Sequence, residues 1–188
     1  MRQKISDIYV PIDYSDLKSI IPPGEDIIYS TLCKGIASVP HKYDARKKII
    51  TKWATHILIT PNGIAWNKPN YYTKKQPSTQ EYTNLEFIDR FFRMKVVGSG
   101  FSFYPADLKV VRDENYESKE KFKERSRKFV STIAPYAIER KKKWLAENQD
   151  NPEIKKRLIK KITKTLRKSE NLLNTILTKD ERKAAKNN

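Results

Sequence analysis

The chain holds one cysteine, Cys33, among 188 residues. That excludes an intramolecular disulfide and any cysteine-based zinc cluster, and a cytosolic setting is expected. There are two histidines, His41 and His56, and five glycines. Neither Gly-x-x-x-x-Gly-Lys nor Gly-x-Gly-x-x-Gly occurs, so no loop of the kind that cradles a nucleotide phosphate is written in the chain. No apolar run approaches the eighteen or so residues needed to cross a bilayer, and Ile57-Leu58-Ile59 is strand-sized. No apolar stretch follows Met1-Arg2-Gln3-Lys4, so a secretory leader is not expected.

What the chain does have is positive charge. Lys and Arg number 39 against 22 Asp and Glu, a formal +17. Residues 1–117 carry only +4 of it and residues 118–188 carry +13. The C-terminal part is therefore the part that seeks anions: nucleic acid, an anionic membrane surface or an acidic protein.

The first part reads as β structure. Pro22-Pro23-Gly24 is a stop, and the β-branched and aromatic stretch from Glu25 to Ile36 predicts a first strand. Ile27, Tyr29, Thr31 and Cys33 share one face. A polar connection is expected from Ser38 to Lys47, then a strand from Lys48 to Thr60 with Ile49, Trp53, Ile57 and Ile59 on one face. Thr60-Pro61-Asn62-Gly63 predicts a turn in which Asn62 and Gly63 tolerate positive φ, and Gly63 to Trp66 returns antiparallel. Asn67 to Gln80 has no apolar pattern and reads as a long loop; its Tyr71, Tyr72, Lys74 and Lys75 would suit a membrane interface or bases, with plain disorder the alternative. Tyr82 to Ile88 is a strand or a short helical turn. Arg90 to Val97 reads as a strand, Gly98-Ser99-Gly100 closes a hairpin, and the return runs through Phe101 and Phe103 and on past Pro105 to Val111.

From Asn115 the period becomes helical. Phe122, Phe129, Val130 and Ile133 mark one helix, which Pro135 should end or kink near Ala134. A second runs from Tyr136 to about Ala146. Asp150-Asn151-Pro152-Glu153 has the make-up of a helix start. The third helix, Glu153 to Lys179, sets Ile154, Leu158, Ile162, Leu166, Leu172, Leu173, Ile176 and Leu177 among many lysines, and Ala184 to Asn188 should fray. Its apolar stripe either docks on the preceding helix as an αα-hairpin or serves a membrane, nucleic acid or a partner helix.

Two strings carry a family likeness. Pro23-Gly24-Glu25-Asp26-Ile27-Ile28-Tyr29, and the hairpin from Thr55 to Trp66, resemble the pleckstrin-homology-like superfamily in its bacterial, GRAM and GLUE branches. The likeness covers about residues 20–134, with a longer Asn67–Gln80 loop than the pattern. It implies an α+β fold: a curved antiparallel sheet or barrel capped by a helix near Ser118 to Ile133. The domain organisation expected is an N-terminal extension at 1–19, a PH-like domain at 20–134 and a basic helical extension at 135–188. Family members that bind phosphoinositides use basic side chains of the first inter-strand loop. Here those would be Lys42, Arg46, Lys47, Lys48 and Lys52. The ubiquitin binding of some GLUE relatives has no matching contact residues to carry it over.

Chemistry finds little to stand on. His56 on a strand reads as a packed or surface residue, Cys33 reads as core, and Asp107, Asp113 and Glu114 lack the spacing of a metal loop. No enzyme, cofactor, metal or small-molecule substrate is expected. The second basic candidate is the last helix, with Lys155, Lys156, Arg157, Lys160, Lys161, Lys164, Arg167 and Lys168. The function expected is a non-enzymatic adaptor, cytoplasmic or peripheral to a membrane, docking to anionic lipid or to a protein. The alternative is nucleic-acid binding through the C-terminal helices.

Overall fold

The computed structural model describes residues 14–41, 44–69, 83–103, 106–112 and 117–187. The chain is α+β, as the sequence predicts, with seven antiparallel strands in the order β4-β3-β2-β1-β7-β6-β5 and two long C-terminal helices. The elements are α1 (Tyr14–Ser19), β1 (Tyr29–His41), β2 (Asp44–Ile59), β3 (Ile64–Pro69), β4 (Thr83–Ile88), β5 (Lys95–Val97), β6 (Gly100–Phe103), β7 (Ala106–Val110), α2 (Lys119–Asn148) and α3 (Lys156–Asn187). It divides into two compact units: residues 1–89 with 103–111, and residues 90–102 with 112–188. The boundary expected at 134/135 falls inside α2.

In the first unit, alternation sorts the strands. Thr31, Cys33 and Ala37 of β1 are buried with Trp53, Thr55, Ile57 and Ile59 of β2. Trp53 lies flat over Gly35, its register partner. A Cβ at Gly35 would sit 2.1 Å from the indole, so only glycine fits under the ring. The indole Nε1 donates to the Asn67 carbonyl at 3.0 Å. Trp66 packs 5.9 Å from Trp53 and edge-on to Phe103 at 5.1 Å. The other face is closed by α1: fully buried Leu17 joins Leu58 and Ala65, with Ile20, Ile21, Ile27, Leu85 and Phe87 around them.

Four expectations for this unit are corrected. The polar connection from Ser38 to Lys47 is strand for most of its length, because β1 runs to His41 and β2 begins at Asp44. The pairing continues outward, Ala37 with Thr51 and Val39 with Ile49, through a stretch whose Val39, Ile49, Ile50 and Thr51 are residue types that favour strands. The turn after β2 uses no positive φ, since Gly24, at 85°, is the one described residue that has it. Thr60 does the work instead. Its Oγ1 accepts from the Asn62 and Gly63 amides at 3.2 and 3.1 Å, a local side-chain bond of the kind that lets a turn close in ordinary backbone conformations. The Asn62 side-chain Nδ2 donates to the Glu25 carboxylate. Gly63 is required for another reason: a Cβ there would lie 2.5 Å from the Ile88 carbonyl on β4. Asn67, Lys68 and Pro69, expected in the loop, belong to β3, and of the segment expected as strand or helical turn Thr83–Ile88 is strand β4. Tyr71, Tyr72, Lys74 and Lys75 lie outside the described residues. The segment beyond Pro105 does not prolong its hairpin; β7 pairs instead with β1, Cys33 opposite Val110.

In the second unit, the strand expected over Arg90–Val97 opens with a 3-10 turn at Phe91–Arg93 before β5. That turn shifts the phase, so Phe91 is buried beside Met94 and Val96 while Phe92 is only half-buried. Gly98-Ser99 closes β5 onto β6 as expected, Val97 opposite Gly100. Ser118 caps α2, its side chain accepting from the Lys121 amide at 3.2 Å. Phe129, Val130, Ile133, Ala134 and Ala137 form its buried face, with Phe101 6.1 Å from Phe129 and Phe92 stacked on Trp144 at 5.3 Å.

Pro135, expected to end or kink the helix near Ala134, does not end it: α2 runs through from Lys119 to Asn148. It sits on the exposed side of the helix, four residues after half-buried Ser131, whose carbonyl it leaves without an amide. The third helix starts at Lys156, not Glu153. Asn151 Oδ1 takes the Glu153 amide at 2.9 Å and the Asn151 carbonyl takes the Ile154 amide at 3.1 Å, which closes a turn rather than launching a helix. The tail expected to fray is helical to Asn187.

Candidate anion-binding surface

Helical geometry decides what α3 offers. At about 100° per residue, Leu158, Ile162, Leu166, Ser169, Leu173 and Ile176 fall on one stripe. In this stripe Ile162, Ser169 and Ile176 are buried and the three leucines half-buried. Their partners within the unit are α2 and β5. Lys156, Arg157, Lys160, Lys161, Lys164, Arg167 and Lys168 then fall within an arc of about 140° on the opposite side. All seven are exposed, as is Lys155 just before the helix. No acidic residue interrupts the stretch from Lys155 to Lys168. The apolar stripe thus docks on the rest of the unit, and the lysines stay in water.

Along one side of that arc runs a shallow groove of about 490 Å³ lined by Ile159, Lys160, Thr163, Lys164, Arg167, Lys168 and Asn171. Its walls all come from α3. It has no opposing side to enclose a small molecule, which ligand pockets need. It suits a ligand laid along it. Lys160, Lys164 and Lys168 recur every fourth residue, about 6 Å apart along the axis. Thr163 and Asn171 contribute to the groove without having been singled out by charge; their i, i+8 spacing on the basic face is the signal that would have found them.

One basic residue is turned the other way. Lys141, inside the run Arg140–Lys143, is fully buried between α2 and α3, and its Nζ donates to Ser169 Oγ at 3.0 Å. Ser169 Oγ in turn donates to the Thr165 carbonyl at 2.9 Å. Burial pushes the Lys141 ammonium from 10.5 down to about 8. Its place four residues after Ala137, on the line of Val130, Ala134 and Ala137, is what puts it inside. Its neighbour Lys142 faces out and pairs with Glu170 at 3.0 Å.

The other basic candidates are differently placed from what the sequence implies. Arg46, Lys47, Lys48 and Lys52 lie on β2 rather than on a loop, with Lys48 opposite Pro40 and Lys52 opposite Ile36 in the register. Lys42 lies outside the described residues. Cys33 is fully buried and His56 half-buried, and no group of metal-ligating side chains occurs among the described residues. No described helix is long and apolar enough to cross a membrane. No family model, curated protein or solved structure matches the chain.

Proposed function

We propose that the protein is a non-enzymatic adaptor that docks by charge onto an anionic partner, with α3 as the docking element. The observation that carries this reading is the division of α3: its apolar stripe is taken up within the unit, and seven exposed cations occupy the opposite arc. A helix so divided presents charge without apolar insertion, so its attraction is electrostatic and falls with salt. The PH-like kinship of the sheet belongs to the same proposal. It rests on the Pro23-Gly24-Glu25 entry, the Thr55–Trp66 hairpin and an antiparallel sheet followed by a helix. Under it, Arg46, Lys47, Lys48 and Lys52 are a second basic element on β2.

Flotation of the full chain with neutral vesicles and with vesicles rich in anionic lipid, beside retention on a polyanionic resin, tests the reading. Retention on the resin that is lost at high salt is expected. A chain that ignores both anionic matrices at low salt is not a charge-docking protein.

A further inference from the structure

We infer that the outer face of α3 is a seat for the phosphate backbone of a nucleic-acid duplex, bound without readout of base sequence. The inference rests on the charge-docking reading above and names its partner. Three observations choose a duplex. First, Lys160, Lys164, Arg167 and Lys168 line one open groove on one rigid helix, in a row rather than a cluster. A row of cations matches a linear polyanion with closely spaced charges, and each phosphate it neutralises releases condensed counterions.

Second, stable attachment to a membrane takes a second signal beyond a basic patch, ordinarily apolar side chains that enter the lipid. Ile28 and Leu177 are the large apolar side chains exposed among the described residues, and Leu177 lies off the basic arc. The Leu and Ile residues of the opposite stripe are buried or half-buried within the unit. Third, single-strand binders stack bases on aromatic side chains. The α3 groove has none: it is walled by lysine, arginine, threonine, asparagine and isoleucine. Asn171 is the side chain there that adds an uncharged hydrogen bond to a phosphate oxygen, as phosphate-positioning residues do; the Thr163 hydroxyl already donates to the Ile159 carbonyl at 3.0 Å.

The test uses the full chain and a fluorescent 30-base-pair duplex of two unrelated sequences. Four phosphate contacts give a slope of log affinity on log salt near −3.6, so binding should weaken about 100-fold between 50 and 200 mM salt. Both duplexes should behave alike. The variant Lys160→Gln, Lys164→Gln, Arg167→Gln, Lys168→Gln should lose most of that slope while its circular dichroism is unchanged, since glutamine is a good helix former. The comparison variant Lys119→Gln, Lys121→Gln, Lys123→Gln removes exposed charge from the first turns of α2 and should change the slope by less than about one. Equal losses in the two variants would overturn the inference, because net charge and not the α3 row would then do the binding. Binding to anionic vesicles with no binding to duplex would also overturn it and leave the charge-docking reading standing. Tighter binding to single-stranded than to duplex nucleic acid would overturn it on the third ground. Binding to none of these would end both readings.

Discussion

Gly35→Ala is a single methyl group that the sheet has no room for. The added Cβ would lie 2.1, 2.2 and 2.5 Å from three atoms of the Trp53 indole. Ordinary carbon contacts begin near 3.5 Å, so the ring must retreat by more than about 1 Å. It is not free to do so. Nε1 is held to the Asn67 carbonyl at 3.0 Å, and the Trp66 ring stands 5.9 Å away. Overpacking of this kind costs about 1–3 kcal/mol, and loss of the indole hydrogen bond adds about 1 kcal/mol. Alanine's better strand entropy returns a few tenths, about 0.5 kcal/mol. The net expectation is a loss of roughly 2–3 kcal/mol, or on the order of 4–12 °C in Tm for a chain of this length. Urea unfolding followed by circular dichroism measures it. The decisive measurement is the cycle with Trp53→Ala, which alone should cost about 3–5 kcal/mol. With the indole gone the alanine has space, so adding Gly35→Ala to Trp53→Ala should cost nothing further. A Gly35→Ala penalty of the same size in both backgrounds would refute the steric account of this glycine.

Two more outcomes follow from the packing. Gly63→Ala should cost about 2–4 kcal/mol, because the Cβ meets the Ile88 carbonyl and the Phe87 ring and β4 must move; a urea midpoint within error of wild type would mean β4 does not approach so closely. Lys141→Met should stabilise the chain at pH 7, because it removes a buried cation and leaves Ser169 bonded to the Thr165 carbonyl. Below about pH 8 Lys141 is charged in both folded and unfolded chains, and the full desolvation penalty, roughly 3 kcal/mol, is present. Between about 8 and 10.5 the unfolded state binds the extra proton, so wild-type stability should gain on the variant as pH rises. A gap between the two that stays constant from pH 7 to 10.5 would contradict the buried-ammonium reading.

The sheet was legible where one face is apolar and the other polar. Thr31, Cys33, Trp53, Ile57 and Ile59 fell where alternation put them, because a one-residue slip would have exposed all of them. The strand ends were not legible, since Ser38 to Lys47 reads as a polar connection and only pairing between β1 and β2 makes most of it strand. Propensity cannot see a partner strand. The same limit applies to Pro135, whose effect depends on whether the freed carbonyl faces water, and to Asn151, whose side chain can cap a turn as readily as a helix. The basic face of α3 was written plainly in the spacing of its lysines. What the spacing could not say was whether the Leu and Ile stripe would meet a lipid or α2, and that contact decides how the cations act.

The Lys141–Ser169 contact has a consequence for how α2 and α3 find each other. Ile162, Ser169 and Ile176 are spaced by sevens, so a hairpin sliding along that seam would meet a similar surface every two turns. Leucine and isoleucine contacts alone would tolerate such a slip. An ammonium would not: moved by one heptad, Nζ would be sealed against Ile162 or Ile176 with no hydroxyl to receive its proton, at a cost of several kcal/mol. One polar pair in an apolar seam thus gives two otherwise repetitive helices a single alignment. With that alignment it fixes how far along α2 the outward cations of α3 stand.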